Sequence, residues 1–142
     1  MRYAYPAVFR EEPDGVTVTF PDVPEAVTCG GTLAEARTRA ADALISALSV
    51  YVEDNRPIPK PSAARGRELV SVTALEATKL ALHDVILAAG LTEQALARRL
   101  GLDEKAVRRL RDPLQLSAIG SLEAALRCLG KRVEVSVVDG GA

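Results

Sequence analysis

Two segments within the first twenty residues carry apolar side chains at every second position, and this pattern predicts a β-hairpin. Every second residue from Tyr3 to Phe9 is apolar, and the same period returns from Val16 to Phe20. A period of two is typical of strands with one buried face. Glu11–Gly15 lies between these segments and contains an Asp-Gly pair, which favours a turn. Because Pro6 has no N–H, we expect the first strand at a sheet edge or at a bulge.

A short strand and a long helix are predicted after the hairpin. The strand would span Ala26–Gly30. Thr32 and Glu35 then form a capping-box pattern, in which each side chain satisfies the other's backbone amide. Apolar residues at helical spacing predict a helix over about Leu33–Glu53. Three closely spaced prolines end it, and Glu68–Val72 adds a further strand. We therefore expect residues 1–72 to form an α+β unit of the order β-β-β-α-β.

Residues 73–142 predict an all-α unit that ends in one strand. The helices are predicted over about Ala74–Ala89, Thr92–Leu100, Asp103–Arg111 and Ser121–Leu129. The segment Lys131–Val138 alternates valine with polar residues and predicts a strand. A lone strand leaves backbone groups unpaired, so we expect it to pair with the same strand of a second copy, giving a homodimer or a higher oligomer. The alternative is that the strand folds back on its own domain.

The two middle helices have the spacing of a helix-turn-helix motif. Ala97 is small where the helices would cross, Gly101 allows a sharp turn, and Val107 follows six residues later. Asp103 is suited to cap the second helix, and Pro113 to end it. Leucines at positions 96, 100, 102 and 110 are expected between the helices. Such motifs bind duplex DNA. The alternative is an ordinary helical hairpin with a solvated basic face.

Positive charge is concentrated in this motif. The chain has 18 basic and 19 acidic side chains, a formal net charge of −1. Arg98–Arg111 alone carries six basic and two acidic side chains, and a local positive potential is what docking on DNA requires. We expect contacts to base edges from Lys105, Arg108 and Arg109. We expect contacts to phosphates from Thr92, Gln94, Arg98 and Arg111.

Several short patterns occur in an order that is typical of one protein family. They are Tyr5-Pro-Ala-Val-Phe9, Asp14-Gly15, Val18-Thr-Phe-Pro-Asp22, Thr32-Leu-x-Glu-Ala36 and Pro57-Ile-Pro59, with the helix-turn-helix behind them. In these patterns the chain resembles the HicB antitoxins over nearly its whole length. The segment Glu25-Ala-Val27 departs from the family, which commonly has Gly-Cys in this region.

The resemblance implies different roles for the two halves. The first half is expected to be a partial ribonuclease-H-like fold without nuclease activity. It would bind and occlude a HicA-type ribonuclease toxin. From the residues themselves, we expect the loops around Asp14 and Asp22 and one helix face to make this contact. The second half is expected to bind the operator of its own operon as double-stranded DNA and to repress it. One alternative is a stand-alone helix-turn-helix transcription regulator whose first half senses a ligand or oligomerises. A second alternative is an active nuclease.

No catalytic or metal site is predicted. The acidic residues of the first half cluster in turns, and none interrupts the apolar face of the first two strands, where the metal ions of a ribonuclease H would be anchored. His83 is the sole histidine, and Cys29 and Cys128 are distant in sequence. We therefore expect no enzymatic activity and no cofactor. No stretch resembles a signal peptide or a membrane span, which favours a cytoplasmic protein.

Overall fold

The computed structural model describes residues 2–140, and the chain divides into two compact units between Thr73 and Ala74. The boundary predicted from the sequence lies one residue earlier. Among the described residues, the N-terminal unit contains four strands and one helix, and the C-terminal unit contains four helices. The predicted α+β class is confirmed.

The N-terminal unit is a four-stranded antiparallel sheet with one long helix packed against it. The strands are β1 (Ala4–Glu12), β2 (Gly15–Thr19), β3 (Val27–Gly30) and β4 (Glu68–Ser71), and the helix is α1 (Leu33–Glu53). The order of the strands across the sheet is β3-β2-β1-β4. β1 and β2 pair as the predicted hairpin.

Alternation along the strands determines which side chains of the sheet are buried. Tyr5 and Ala7 of β1 and Val16 and Val18 of β2 are buried, because alternate side chains of a strand point to the same face. α1 packs against the sheet through one apolar stripe. The buried residues of this stripe are Ala36, Ala40, Leu44, Ile45, Ala47, Leu48, Tyr51 and Val52.

The start of α1 has the predicted cap with one difference. Thr32 Oγ1 accepts a hydrogen bond from the Glu35 N–H at 3.2 Å. Glu35 Oε2 accepts from the Gly31 N–H at 3.2 Å, whereas a capping box uses the N–H of the cap residue itself. A Cβ placed on Gly30 would lie 2.6 Å from the backbone nitrogen of Ala36. Glycine at this position therefore allows β3 and α1 to approach closely.

The prediction that Pro6 marks a sheet edge or a bulge is wrong, because β1 lies between β2 and β4 and its register with β4 is uninterrupted around Pro6. Pro6 is opposite Leu69 of β4, but the ladder with β2 begins only at Val8. The Val72 N–H donates to the Tyr3 carbonyl at 3.2 Å. In an antiparallel ladder, odd-numbered residues of β1 then bond to β4, and the Pro6 nitrogen faces the opposite side. The missing N–H thus falls where β1 has no second neighbour.

The C-terminal unit consists of four helices around one apolar core. They are α2 (Ala74–Ala89), α3 (Glu93–Leu100), α4 (Glu104–Arg111) and α5 (Ile119–Cys128). The first three agree with the prediction to within one residue, and α5 begins and ends slightly earlier. The buried apolar residues of the core are Leu82, Val85, Ile86, Leu96, Ala97, Val107, Leu110, Leu122, Ala125 and Leu126.

The segment after α5 is not a strand in the single chain. The sequence predicts a strand over Lys131–Val138, but residues 131–140 have no regular secondary structure. Val135 is 79% exposed and Val137 is 94% exposed. A strand needs a second backbone to pair its N–H and C=O groups, and the described part of one chain offers none to this segment. Pairing with a second copy stays a prediction.

Candidate nucleic-acid interface

α3 and α4 are helices of eight residues each, joined by a tight turn. Thr92 Oγ1 caps α3 by accepting from the Ala95 N–H at 3.0 Å. Asp103 Oδ1 caps α4 by accepting from the Ala106 N–H at 2.7 Å. Gly101 ends α3 with a φ of +67°, a left-handed conformation that favours glycine. The predicted caps and turn are confirmed.

Small and apolar residues fill the space between the two helices. Ala97 and Val107 are buried, as predicted. Leu96 and Leu110 belong to the same core. Leu102 differs from the prediction, because it lies in the turn rather than on the buried face of either helix and is 44% exposed. The outward faces of α3 and α4 are therefore left to polar and charged side chains.

Most of the residues predicted to contact DNA are among these outward side chains. The predicted contact residues that are exposed are Thr92, Gln94, Arg98, Lys105, Arg108 and Arg109. We call the exposed polar side chains of the two helices the α3–α4 surface. Lys105 is three residues before Arg108 and four before Arg109, so the three cations share one face of α4.

Arg111 is buried, which corrects the prediction that it contacts a phosphate. Its Nη1 donates to Glu93 Oε1 at 2.7 Å, and its Nη2 donates to His83 Nδ1 at 2.8 Å. Burial lowers the pKa of Arg111, and the adjacent Glu93 opposes this change. The guanidinium therefore joins α2, α3 and α4 inside the unit and does not reach a ligand in solvent.

The Glu93 carboxylate connects this buried arginine to the α3–α4 surface. Its Oε1 binds Arg111, and its Oε2 accepts from Nε of Arg108 at 3.2 Å. The Glu93 side chain is 24% exposed, and that of Arg108 is 66% exposed. One carboxylate thus contacts both a core cation and a surface cation.

A buried ammonium group lies at the C-terminal end of α4. Lys79 of α2 is fully buried, and its Nζ donates to the carbonyl oxygens of Arg109 at 2.9 Å and Asp112 at 3.0 Å. It also donates to Ser117 Oγ at 2.8 Å. Burial lowers the pKa of Lys79, and the charge of Asp112 opposes this change. A cation stabilises the unpaired carbonyls of a helix C-terminus, so Lys79 fixes the end of α4.

The two residues predicted to face the toxin lie at opposite ends of β2. Asp14 is exposed in the turn before β2. Asp22 lies in the loop after β2, where its Oδ2 accepts from both the N–H and the hydroxyl of Ser62 at 2.9 Å. Asp22 therefore ties this loop to the proline-rich segment that precedes β4. The structure does not bring Asp14 and Asp22 together.

A groove of about 300 Å³ opens on the N-terminal unit. The Tyr51 hydroxyl donates to the Glu25 carboxylate at 2.8 Å, and the Arg56 guanidinium lies 4.0 Å from the centre of the Tyr51 ring. A hydrogen bond from its own backbone and the Tyr51 hydroxyl lower the pKa of Glu25. Burial raises the pKa of Tyr51. Val27 and Val50 are exposed beside these groups, so the groove has both an apolar and a charged side.

The described residues contain neither a cluster of metal-binding side chains nor a single helix that could span a membrane. Within residues 2–140, no group of three or more His, Cys, Asp or Glu side chains could hold a metal ion. Cys29 and Cys128 are free thiols. No single helix in this range is long and apolar enough to cross a membrane, and α2 and α3, which satisfy that test only as a pair, are bent by 109°.

Sequence reasoning missed Glu93 and Lys79. Glu93 lies in the first turn of α3, where an acid is common because it complements the helix dipole, so nothing local indicates its contact with Arg108. The burial of Lys79, by contrast, is indicated by its spacing from neighbouring leucines. Lys79 follows Leu75 by four residues and precedes Leu82 by three, which places it on the core face of α2.

Comparison with known proteins gives the family of the chain. The sequence model of a family described as "HicB_like antitoxin of bacterial toxin-antitoxin system" matches residues 2–81. "Antitoxin HicB" of Pseudomonas fluorescens (strain Pf0-1) is 39% identical to this chain and is similar over 95% of this chain and 94% of its own length. "Antitoxin HicB 2" of Photorhabdus laumondii subsp. laumondii is 37% identical, over 94% of this chain and 96% of its own length. "Antitoxin HicB" of Escherichia coli (strain K12) is 36% identical, over 94% of this chain and 99% of its own length. Since the match to the family covers more than half of the chain and these relatives cover nearly all of it, the chain belongs to the HicB-like antitoxins of bacterial toxin–antitoxin systems.

Proposed function

We propose that this chain is an antitoxin that occludes a HicA-type ribonuclease toxin with its N-terminal unit and represses its own operon through its C-terminal unit. The observation that carries the DNA-binding part is the α3–α4 surface, where capped helices expose Arg98, Lys105, Arg108 and Arg109. The membership in an antitoxin family carries the toxin-binding part. Binding to the operator would take place in the cytoplasm.

DNA binding is supported by the placement of charge on α4. The apolar side chains of Val107 and Leu110 are buried, which turns Lys105, Arg108 and Arg109 outward on the other face. A short helix with such a cationic face fits the major groove of B-DNA, where arginine can bind guanine through two atoms. We assign base contacts to these three residues. Phosphate contacts are assigned to Thr92, Gln94 and Arg98.

Toxin binding is assigned to the N-terminal unit. The family match over residues 2–81 includes all of this unit except its first residue. Counting residues 1–72, its eight basic and ten acidic side chains give a charge of −2, which suits a partner with a basic RNA-binding site. Asp14 is the exposed candidate contact. We assign Asp22 an indirect role in toxin binding, because its carboxylate accepts two hydrogen bonds from Ser62 and so positions the loop. We propose no catalytic activity for this unit.

A second copy of the chain is the proposed partner of the C-terminal segment. Val135, Val137 and Val138 are exposed there, and paired strands would cover apolar side chains and satisfy backbone groups together. Two-fold dimers of this kind place two DNA-reading helices on successive half-sites.

The DNA-binding proposal is tested by gel shift and by binding titration on DNA from upstream of the operon. Arg109→Ala should cost about 1–3 kcal/mol on the operator and relax the preference at one base position. Arg127→Ala is the matched control, because Arg127 is an exposed arginine of α5 outside the α3–α4 surface. Equal loss on operator and unrelated DNA would show that Arg109 contacts phosphate only. Absence of any retardation at low salt would refute DNA binding.

The toxin-binding proposal is tested by co-purification from the native operon. A small basic protein that stays bound to the tagged chain, and whose ribonuclease activity the chain suppresses, is the expected result. Recovery of the chain without such a partner, together with retained operator binding, would favour the stand-alone regulator.

A further inference from the structure

We propose that Glu93 is a positioning residue that orients Arg108 for reading a specific base. This inference rests on the proposed DNA binding. It assigns a role in operator specificity to an acidic residue that is not among the predicted DNA contacts.

The contact with Glu93 leaves the outer end of Arg108 available. The Glu93 carboxylate receives the Nε–H of Arg108 at 3.2 Å. The two terminal amino groups of the guanidinium then remain for a ligand, and the side chain is 66% exposed. Those two groups form the fork that arginine presents to O6 and N7 of guanine.

The Glu93 carboxylate is itself held from inside the unit. Arg111 donates to its other oxygen at 2.7 Å, and Arg111 in turn donates to His83 of α2 at 2.8 Å. Arg111 and His83 are both buried. The contacts therefore run in a chain from the core through Glu93 to Arg108, so the position of the carboxylate is set before any DNA arrives.

Such an arrangement improves specificity because it restricts a flexible side chain. An unrestrained surface arginine samples many rotamers and loses that freedom when it binds two atoms of one base. An arginine whose Nε is fixed has the plane of its guanidinium already defined. The benefit is confined to the base that the fork reaches, since phosphate binding tolerates many orientations.

The charge of Glu93 makes this proposal sharply testable. A carboxylate next to DNA repels phosphates, so its removal should strengthen binding to any duplex if charge alone matters. Positioning predicts the opposite for the operator. Glu93→Gln separates the two, because the amide keeps one oxygen for Arg111 while its NH₂ group cannot accept from Arg108.

The experiment measures Kd on the operator and on an unrelated duplex of equal length, at one salt concentration, for the wild type, Glu93→Gln, Arg108→Ala and the double variant. The ratio of the two Kd values reports operator preference. We expect Glu93→Gln to lower this preference about ten-fold, with unchanged or tighter binding to the unrelated duplex. In the Arg108→Ala background, Glu93→Gln should change the preference no further.

Arg108→Lys supplies a variant that leaves the buried contacts of Glu93 intact. It keeps the positive charge but has neither Nε nor the fork. We expect it to lose operator preference to a similar extent while it retains binding to the unrelated duplex and an unaltered unfolding transition.

Three results would overturn the proposal. They are equal tightening of Glu93→Gln on both duplexes, a full effect of Glu93→Gln in the Arg108→Ala background, and an unchanged preference in Arg108→Lys. A wild type that shows no preference for the operator would instead remove the proposed function on which the inference rests. The wild-type titration therefore distinguishes the two failures.

Discussion

Replacing Lys79 with methionine should destabilise the C-terminal unit. Methionine has a similar length and an apolar stem, so the variant deletes the ammonium group without opening a large cavity. Three acceptors then lose their donor: the carbonyl oxygens of Arg109 and Asp112 and the hydroxyl of Ser117. Lys79 is fully buried, so its ammonium group makes these three hydrogen bonds in place of hydrogen bonds to bulk water.

The size of the effect follows from two opposing terms. Hydrogen bonds from a charged donor contribute about 1.5 kcal/mol each at the lower end of the usual range, so three of them give a gross loss of about 4–5 kcal/mol. Removing the ammonium group also removes its desolvation penalty, which for a buried ion amounts to several kcal/mol. Burial lowers the pKa of Lys79, which is the direction expected from such a penalty. We expect a net loss of about 2 kcal/mol.

Urea unfolding followed by circular dichroism at 222 nm measures this loss. With an m-value of about 1 kcal/mol/M for a unit of this size, the midpoint should fall by about 2 M. The chain has no tryptophan, and its three tyrosines are Tyr3, Tyr5 and Tyr51. Tyrosine fluorescence therefore reports the N-terminal unit in the same samples.

Lys131→Met is the matched control, because Lys131 is exposed and its change should stay within about 0.5 kcal/mol. A Lys79→Met variant that is as stable as the wild type, or more stable, would refute the reasoning. It would mean that the desolvation penalty of the ammonium group equals or exceeds the contribution of the three hydrogen bonds that it makes.

Three further outcomes are expected. Gly30→Ala should destabilise the N-terminal unit by about 1–3 kcal/mol in thermal unfolding, because its Cβ would lie 2.6 Å from a backbone nitrogen of α1; Gly120→Ala, whose Cβ meets nothing, is the control. Glu25→Gln should make the free energy of unfolding depend less on pH in the acid range. A backbone hydrogen bond and the Tyr51 hydroxyl lower the pKa of Glu25, so the ionised carboxylate stabilises the native protein above the ordinary pKa of glutamate. This contribution is lost as the pH falls through the lowered pKa. An equal acid slope in both proteins would contradict this. Val135→Pro should reduce the mass measured by sedimentation to that of a monomer, since proline cannot complete a strand ladder; an unaltered dimer would argue against strand pairing.

Local signals explain what the sequence predicted correctly. Thr32, Thr92 and Asp103 each cap the helix that follows, and the chemistry of a cap is complete within four residues. Gly101 marks the turn for a similarly local reason, because its backbone adopts a left-handed conformation. Helix bounds agree with the structure where such signals exist. α5 has no side-chain cap, and its predicted start is displaced.

Contacts between distant residues explain what the sequence did not provide. The position of Pro6 depends on how far β2 extends along β1, which is a matter of strand register rather than of composition. The basic character of Arg111 predicts a surface position, although this residue follows Val107 by four residues and therefore shares its buried face. The partners of Arg111 lie 18 and 28 residues away in the sequence, and no local pattern indicates them.

Among the described residues of the C-terminal unit, the buried polar side chains are Lys79, His83 and Arg111, and each contacts the helix proposed to read DNA or belongs to it. α4 has eight residues, and among them only Val107, Leu110 and Arg111 are buried. A helix of this length is unstable alone, and only two apolar side chains pack it against the core. Lys79 binds the carbonyls at its C-terminal end, and Arg111 fixes its inner face through Glu93. Directional contacts of this kind define one orientation of α4, whereas a few aliphatic contacts would allow several. The proposed contact with base edges requires one orientation of α4. We therefore interpret these buried charges as the means by which a short, highly cationic helix is held in that orientation.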